Sequence, residues 1–261
     1  MGYKKEETSD LNSYTDPILI AHFQFKLYSR SNLNSTSMNQ AITSSKTTLN
    51  YEEWYHTERH NTHFNDEYYN SRAKIALTKF FTGFDTNSRI LDFGCGLGQN
   101  IYYLPNAVGY DISKFGVEFC KKKNIKVTNN VDDLPEESFD IVLSTHVLEH
   151  HPNPKQMLEQ IFSKLKKGAS LILVIPHEIH GTAKYELDLN QHLFTWNFQA
   201  INNLLITSGF KVVKNKYVRG AGYFKLLKLA KINFNLYETA TNLLSRFTGI
   251  KEMMIVAEKP A

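Results

Sequence analysis

The stretch from Arg89 to Asn100, Arg-Ile-Leu-Asp-Phe-Gly-Cys-Gly-Leu-Gly-Gln-Asn, constrains this chain more than any other. Two apolar residues, Ile90 and Leu91, lead into Asp92, after which glycine stands at every second position, Gly94, Gly96 and Gly98. Such a segment reads as a buried strand running into a tight loop that opens a helix. Without side chains the glycine backbone adopts dihedrals closed to other residues and approaches a ligand closely. The N–H groups of a helix start favour negative or electron-rich atoms. The loop is a small-molecule cradle.

Spacing narrows the choice of molecule. The dinucleotide fingerprint is G-x-G-x-x-G, whereas here the third glycine arrives one residue early and an acid stands two residues before the first. That departure counts against NAD. Asp-Phe-Gly-Cys-Gly-Leu-Gly instead closely resembles the first motif of the class I S-adenosylmethionine (SAM)-dependent methyltransferases of the small-molecule and glycan type. The resemblance implies an α/β, Rossmann-like fold: a seven-stranded, mostly parallel sheet with helices on both faces, an N-terminal helical cap and a helical insert before the last strand. It also implies S-adenosyl-L-methionine as cofactor and S-adenosyl-L-homocysteine as product.

A second patch strengthens it. Ser138 to Ser144, Ser-Phe-Asp-Ile-Val-Leu-Ser, reads as a fourth strand, followed by Thr145-His146-Val147-Leu148-Glu149-His150-His151-Pro152. Phe-Asp-Ile-Val and Val-Leu-Glu-His resemble the family's second diagnostic patch, at the carboxyl edge of the sheet where open α/β folds bind ligands. Two motifs in the right order are far more specific than one, and the resemblance runs from about Tyr51 to Phe210.

Between the motifs, a helix is expected from Gln99 to Leu104, ending at Pro105, and a second strand from Ala107 to Tyr110 running into Asp111. One carboxylate there can accept hydrogen bonds from both ribose hydroxyls; the competing role is a structural acid capping the next helix at Ser113. Ile112 is expected against the adenine face. Ile125 to Thr128 reads as the third strand, followed by Asn129-Asn130-Val131-Asp132-Asp133-Leu134-Pro135. Asn130 stands where the family often has an acid that bonds the adenine amino group, and its side-chain carbonyl can accept the same bond. The expected cofactor contacts are thus Asp92, Gly94, Cys95, Gly96, Gly98, Asp111, Ile112, Asn130, Val131 and Ser144. Arg72 or Tyr55 is a candidate for the methionyl carboxylate, against ordinary helix-surface roles.

Beyond the second patch, a helix is expected from Pro154 to Leu165, closed by Lys166-Lys167 and a Gly168 C-cap, then a fifth strand from Ser170 to Ile175. Thr195 is expected to cap a helix from Trp196 to Ser208 that shares Ala200, Ile201, Leu204 and Leu205 on one face and ends at Gly209. Phe210 to Val218 and Met253 to Glu258 read as strands six and seven. Between them, Gly220 to Ile250 is surplus to a simple hairpin. Its composition favours a satellite core, packed on the pocket or a second subunit, over a membrane-surface helix carrying Lys225, Lys228 and Lys231.

Residues 1–50 read as an N-terminal arm, partly flexible and poorest in apolar residues from Arg30 to Thr48, with Pro17 to Tyr28 as an added strand or a homodimer contact. Residues 51–261 form the expected domain, of which 51–82 is the cap. His56 and His60 stand at i and i+4, but no third ligand is fixed by spacing, so they read as lid histidines and no metal is expected. Cys95 and Cys120 suggest neither a disulfide framework nor a zinc site. A formal net charge of +4, with lysine runs at helix ends where they complement the dipole, does not call for nucleic acid. No apolar run approaches the ~20 residues of a bilayer span, and the start lacks a secretory apolar core, so a cytoplasmic protein without stable membrane insertion is expected.

SAM carries an activated methyl, so the protein's tasks are to align an attacking O, N or C atom and exclude water. A sugar hydroxyl would need a base, and His146, His150 and His192 lie on carboxyl-edge loops, with His146 or His192 the first expected to touch the acceptor; His177 and His180 are further candidates. The Asn- and Lys-rich composition fits a bacterial source, and proteins of the resembling type often tailor surface polysaccharides. The expected acceptor is therefore an oxygen of a small molecule or polysaccharide precursor, either a sugar hydroxyl or a sugar-linked phosphate or phosphoramidate. The rival readings are an NAD-dependent oxidoreductase and a non-catalytic SAM-fold partner protein. RNA methylation is weaker still, since no RNA-binding module or Asn-Pro-Pro-Tyr type motif follows strand four.

Overall fold

The computed structural model describes residues 53, 55–59, 61–178, 190–220 and 222–261. The N-terminal arm, with its apolar segment, lies outside these residues, as do Trp54, His60 and His180.

Strand β5 (Leu165–Pro176) explains the architecture. Leu171, Leu173 and Ile175 enter one apolar core while Ile172 and Val174 enter another on the opposite face. The same two-residue alternation divides β1 (Ile90–Phe93) and β7 (Glu252–Glu258) between the cores. Strands apolar on both faces must be covered on both, and helices supply the cover. On one side lie Ala76 of α1 (Asp66–Lys79) and the following Phe80 and Phe81. On the other lie Met157, Leu158 and Ile161 of α3 (Pro154–Lys164) and Ile201 and Leu205 of α4 (Phe198–Thr207).

With β2 (Ala107–Tyr110), β3 (Val127–Thr128), β4 (Phe139–Thr145) and β6 (Lys211–Val218), the seven strands take the order β3-β2-β1-β4-β5-β7-β6. The sheet is parallel except for β7, which runs antiparallel to both β5 and β6. Strand order reverses between β1 and β4, so the crevice of this open sheet lies at their carboxyl ends. Both sequence motifs end there.

Several local expectations are corrected. The segment after Gly98 is a 3-10 turn, Gln99–Ile101, too short for an α-helix before Pro105. Helix α3 ends at Lys164 because Leu165 is extended and pairs with Phe139; Gly168, at φ 76°, lies within β5 and caps nothing. Helix α4 starts two residues later than expected, because the Asn197 side chain accepts from Ala200 N–H in place of Thr195; Ala200 is exposed.

The insert is largely helical, with α5 (Leu227–Ile232) and α6 (Phe234–Thr248). Tyr237 is fully buried and accepts from Tyr223 N–H at 2.9 Å, while Thr78 of α1 donates to Glu238 at 2.8 Å. The insert is a satellite on α1, yet Leu236, Leu243 and Phe247 stay exposed on its outer side. Between α1 and α3 in the chain, α2 (Lys114–Lys122) buries Val117 and Cys120.

These environments separate two truncations. Leu173→Ala, at a 0% exposed site, is expected to cost about 2–5 kcal/mol in urea unfolding. Phe247→Ala, at 76% exposure, is expected to stay within about 0.5 kcal/mol of wild type.

Candidate active site

The glycine loop is held by its neighbours in the sheet. Gly94 N–H and Cys95 N–H both donate to the Tyr110 carbonyl, at 2.7 and 2.9 Å. Gly94 sits at φ 83°, and a Cβ there would come within 2.2 Å of Val147. Gly96, at φ 52°, differs: an added Cβ would meet only His56, at 3.9 Å, so space is left beside its backbone. Gly98 is also left-handed, at φ 75°.

Asp111 ends β2, accepting Gly96 N–H at 2.7 Å on one oxygen and Ser113 N–H at 2.9 Å on the other. It thus joins the cradle to the next helix, and Ser113 itself caps α2 by accepting from Gly116 N–H. Asp92 is fully buried, and among the described residues no donor reaches its oxygens in hydrogen-bond geometry, Asn100 being the side chain that eases its charge. Burial, then the charge of Asp111, pushes its pKa up to about 8. A carboxylate orphaned beside a glycine loop fits a ligand carrying both positive charge and donors, as the aminoacyl sulfonium of SAM does.

The other expected cofactor residues divide. Ile112 is 62% exposed, an apolar platform at the mouth. Asn130 is exposed; its carbonyl accepts Asp132 N–H and its amide donates to Asp133, so it caps a 3-10 turn of which Val131 is the first residue. Ser144 is buried and its hydroxyl donates to the Phe93 carbonyl at 2.9 Å, a tie between β4 and β1 that spends the group expected on the cofactor. Tyr55 packs edge-on against His56. The charge of Arg72 acts on Glu252, and its side chain lies beside Gly222 at the start of the insert.

Other residues support the cradle, of which sequence reasoning read only His56, as a lid histidine, and missed the rest. His56 is buried and stacks on Phe115 over the loop. The Tyr69 hydroxyl donates to the Leu97 carbonyl at 2.8 Å, and Asn100 donates to Thr145, linking the ends of β1 and β4. The aromatic density of the cap was the only sequence signal for the first two. Cys95 and Cys120, both free and buried, meet at one acceptor, the Gly96 carbonyl.

Across the crevice, the loop after β4 brings the candidate histidines together. His146 is left-handed at φ 56°, a strained conformation for a residue with a side chain. Its Nε2 lies 2.8 Å from Glu252 and its Nδ1 3.4 Å from Glu149, so both nitrogens face carboxylates although the side chain is 39% exposed. Burial pulls its pKa down, but the two carboxylates outweigh burial and carry it up to about 10. His146 is therefore an imidazolium at neutral pH, with no lone pair to take a proton. His150 is the opposite case: burial, helped by His192 and His146, lowers its pKa against the pull of Glu149. The rings of His150 and His192 meet edge to face at 4.8 Å, and His192 Nδ1 lies 2.5 Å from Glu178. His177 packs against Tyr217 instead.

A family model described as a methyltransferase domain matches residues 54–215. An uncharacterised protein of Methanocaldococcus jannaschii is 38% identical over 90 residues, covering 33% of this chain and 44% of its own. Phthiotriol/phenolphthiotriol dimycocerosates methyltransferase 1 of Mycobacterium ulcerans is 26% identical over 117 residues, 40% of this chain and 43% of its own. The chain thus spans less than half the length of these relatives. Among solved structures, phosphoethanolamine N-methyltransferase 2 of Haemonchus contortus, in complex with S-adenosyl-L-methionine, superposes with a TM-score of 0.53 at 18% identity, covering 83% of this chain and 61% of its own.

Two outcomes follow for the ligand-free protein. A carboxyl whose pKa is raised on folding binds its proton more tightly folded than unfolded, so its contribution falls as pH climbs from 3.8 towards 8. Asp92→Asn is therefore expected to gain thermal stability relative to wild type across that rise, read by calorimetric scans. Gly94→Ala is expected to lower the Tm and weaken SAM binding in titration calorimetry, because its Cβ meets Val147 at 2.2 Å.

Proposed function

This chain belongs to the methyltransferase domain family, and we propose that it is a SAM-dependent methyltransferase whose acceptor is an oxygen of a small molecule or surface-polysaccharide precursor, with a sugar hydroxyl as the group methylated. The observation that carries this reading is the neutral His150 beside His192, at the strand edge across from the glycine loop. A hydroxyl must lose its proton as it attacks, and a neutral imidazole accepts one at ordinary pH. A phosphate oxygen is favoured less: among the described residues, the carboxylates of Glu149, Glu178 and Glu252 stand against His146, His150 and His192 and would repel a dianion.

When bound, SAM supplies an electrophilic methyl on a positive sulfur. Asp111 would hold its ribose hydroxyls, Asp92 its positive aminoacyl end, and Ile112 its adenine face. His56 and Phe115, stacked over the loop, exclude water from that side. His146, fixed by Glu149 and Glu252, orients the β4 loop and leaves proton transfer to His150.

Incubation with labelled SAM and a cell extract, followed by identification of the product, tests the acceptor: a methyl ether on a carbohydrate is expected, and label on nitrogen or carbon overturns the reading. Asp111→Ala is expected to raise the SAM Kd by about 10-fold to 100-fold, the loss of hydrogen bonds to a charged group. In a pH profile, turnover is expected to fall on the acid side as His150 protonates, at a pH below the ordinary histidine value of 6.5. No limb is expected from His146 until about pH 10.

A further inference from the structure

We propose that Glu149, His150 and His192 form a binding site for one divalent ion of the zinc and cobalt class, at the edge where the acceptor docks. One ligand atom from each residue lies within 4.8 Å of the others. Metal–nitrogen and metal–oxygen bonds of about 2.0–2.2 Å put tetrahedral ligands roughly 3.4 Å apart, so the three need to close by about 1 Å or a little more. Side-chain rotation covers that distance.

The carboxylate points to a cation independently. Glu149 is 0% exposed and neither oxygen has a hydrogen-bond partner. Its nearest cationic candidates are His146 Nδ1 at 3.4 Å and His150 Nε2 at 3.9 Å, and His146 is engaged more closely with Glu252, at 2.8 Å. Those two imidazoles stand against the buried charge without reaching hydrogen-bond geometry, and a metal ion between Glu149 and the histidines offsets the remaining cost of its burial.

Both rings are also oriented as metal ligands are. His150 Nδ1 lies 3.3 Å from the Gln191 carbonyl, and His192 Nδ1 lies 2.5 Å from a Glu178 carboxylate oxygen. A ring that donates Nδ1–H to a carbonyl or carboxylate presents Nε2 as its ligand atom, the outer-shell arrangement typical of metal-bound histidine. The two loops are joined by backbone: Leu193 and Phe194 N–H donate to the Glu149 carbonyl, at 2.8 and 3.2 Å. Two imidazoles and one carboxylate suit zinc, cobalt, nickel or iron and are poor for calcium or magnesium.

Three protein ligands leave coordination positions open. Resting on the acceptor reading above, this deepens it: the acceptor is a sugar that offers its hydroxyl together with an adjacent oxygen, a vicinal diol. With the ion bound, His150 would be a ligand, so the base role given to it above would belong to the metal-free protein alone; the ion would lower the pKa of the hydroxyl it holds, and that proton would pass to solvent water as the methyl leaves the SAM sulfur for the oxygen.

The test uses the full chain stripped by chelator and titrated with cobalt(II), followed by its visible absorption, with bound zinc counted by mass spectrometry after dialysis. One ion per chain is expected, with affinity about 10-fold to 100-fold weaker in Glu149→Gln and His192→Ala and unchanged in His151→Ala. SAM affinity of all three variants, read by calorimetry, is expected within about two-fold of wild type, which certifies their fold by mass-action logic. Failure of wild type to take up an ion, or equal uptake by the ligand variants, overturns the site. If the ion binds but stripped and loaded enzyme methylate a vicinal diol equally, the acceptor class is overturned while the site stands. A labelled product on nitrogen or carbon sinks the oxygen-acceptor reading without touching the cobalt result.

Discussion

A sheet buried on both faces has nowhere to receive a polar ligand except the ends of its strands, and that constraint governs this molecule. Apolar side chains alternate between two cores along β1, β5 and β7, so every charged group with chemical work to do is displaced to the carboxyl edge. Asp92, Asp111, Glu149 and the histidines gather there because the interior excludes them elsewhere. The reversal of strand order between β1 and β4 then opens a gap at that edge, with a backbone-lined wall on one side and an ionisable wall on the other.

The two walls are built by different means. On the glycine-loop side the backbone predominates: left-handed glycines turn the chain, and Asp111 locks Gly96 from the neighbouring strand. On the side of the loop after β4, side chains predominate, with Glu149 and Glu252 flanking His146, and with burial lowering the pKa of His150. Neighbouring imidazoles thus hold opposite protonation states. The difference lies in the company each keeps.

Legibility in the sequence follows the same division. The glycine turn, an acid closing β2 and the succession of strands along the chain could be read because they depend on residue type and near-neighbour spacing, and the strands came within about five residues of their expected bounds. The Gln99 helix, the Gly168 cap and the Thr195 cap went astray where a tertiary pairing or a nearer side chain won, as Asn197 did over Thr195. The protonation of His146 was illegible locally, since its partner Glu252 lies 106 residues away. Ser144 lies at the expected place in the sheet, with its hydroxyl proton given to the adjoining strand, a tie the local sequence did not show.

Strand β7 runs backwards between β5 and β6, pairing Glu252 with Pro176. Its first residue therefore arrives where the other strands finish, which is how a carboxylate from near the end of the chain comes to grip His146. Whatever precedes β7 must then enter the sheet from the reactive rim. Lengthening or reshaping the helices joined there offers evolution a way to recut the rim around His146 while the glycine loop and Asp111, on β1 and β2, keep their form.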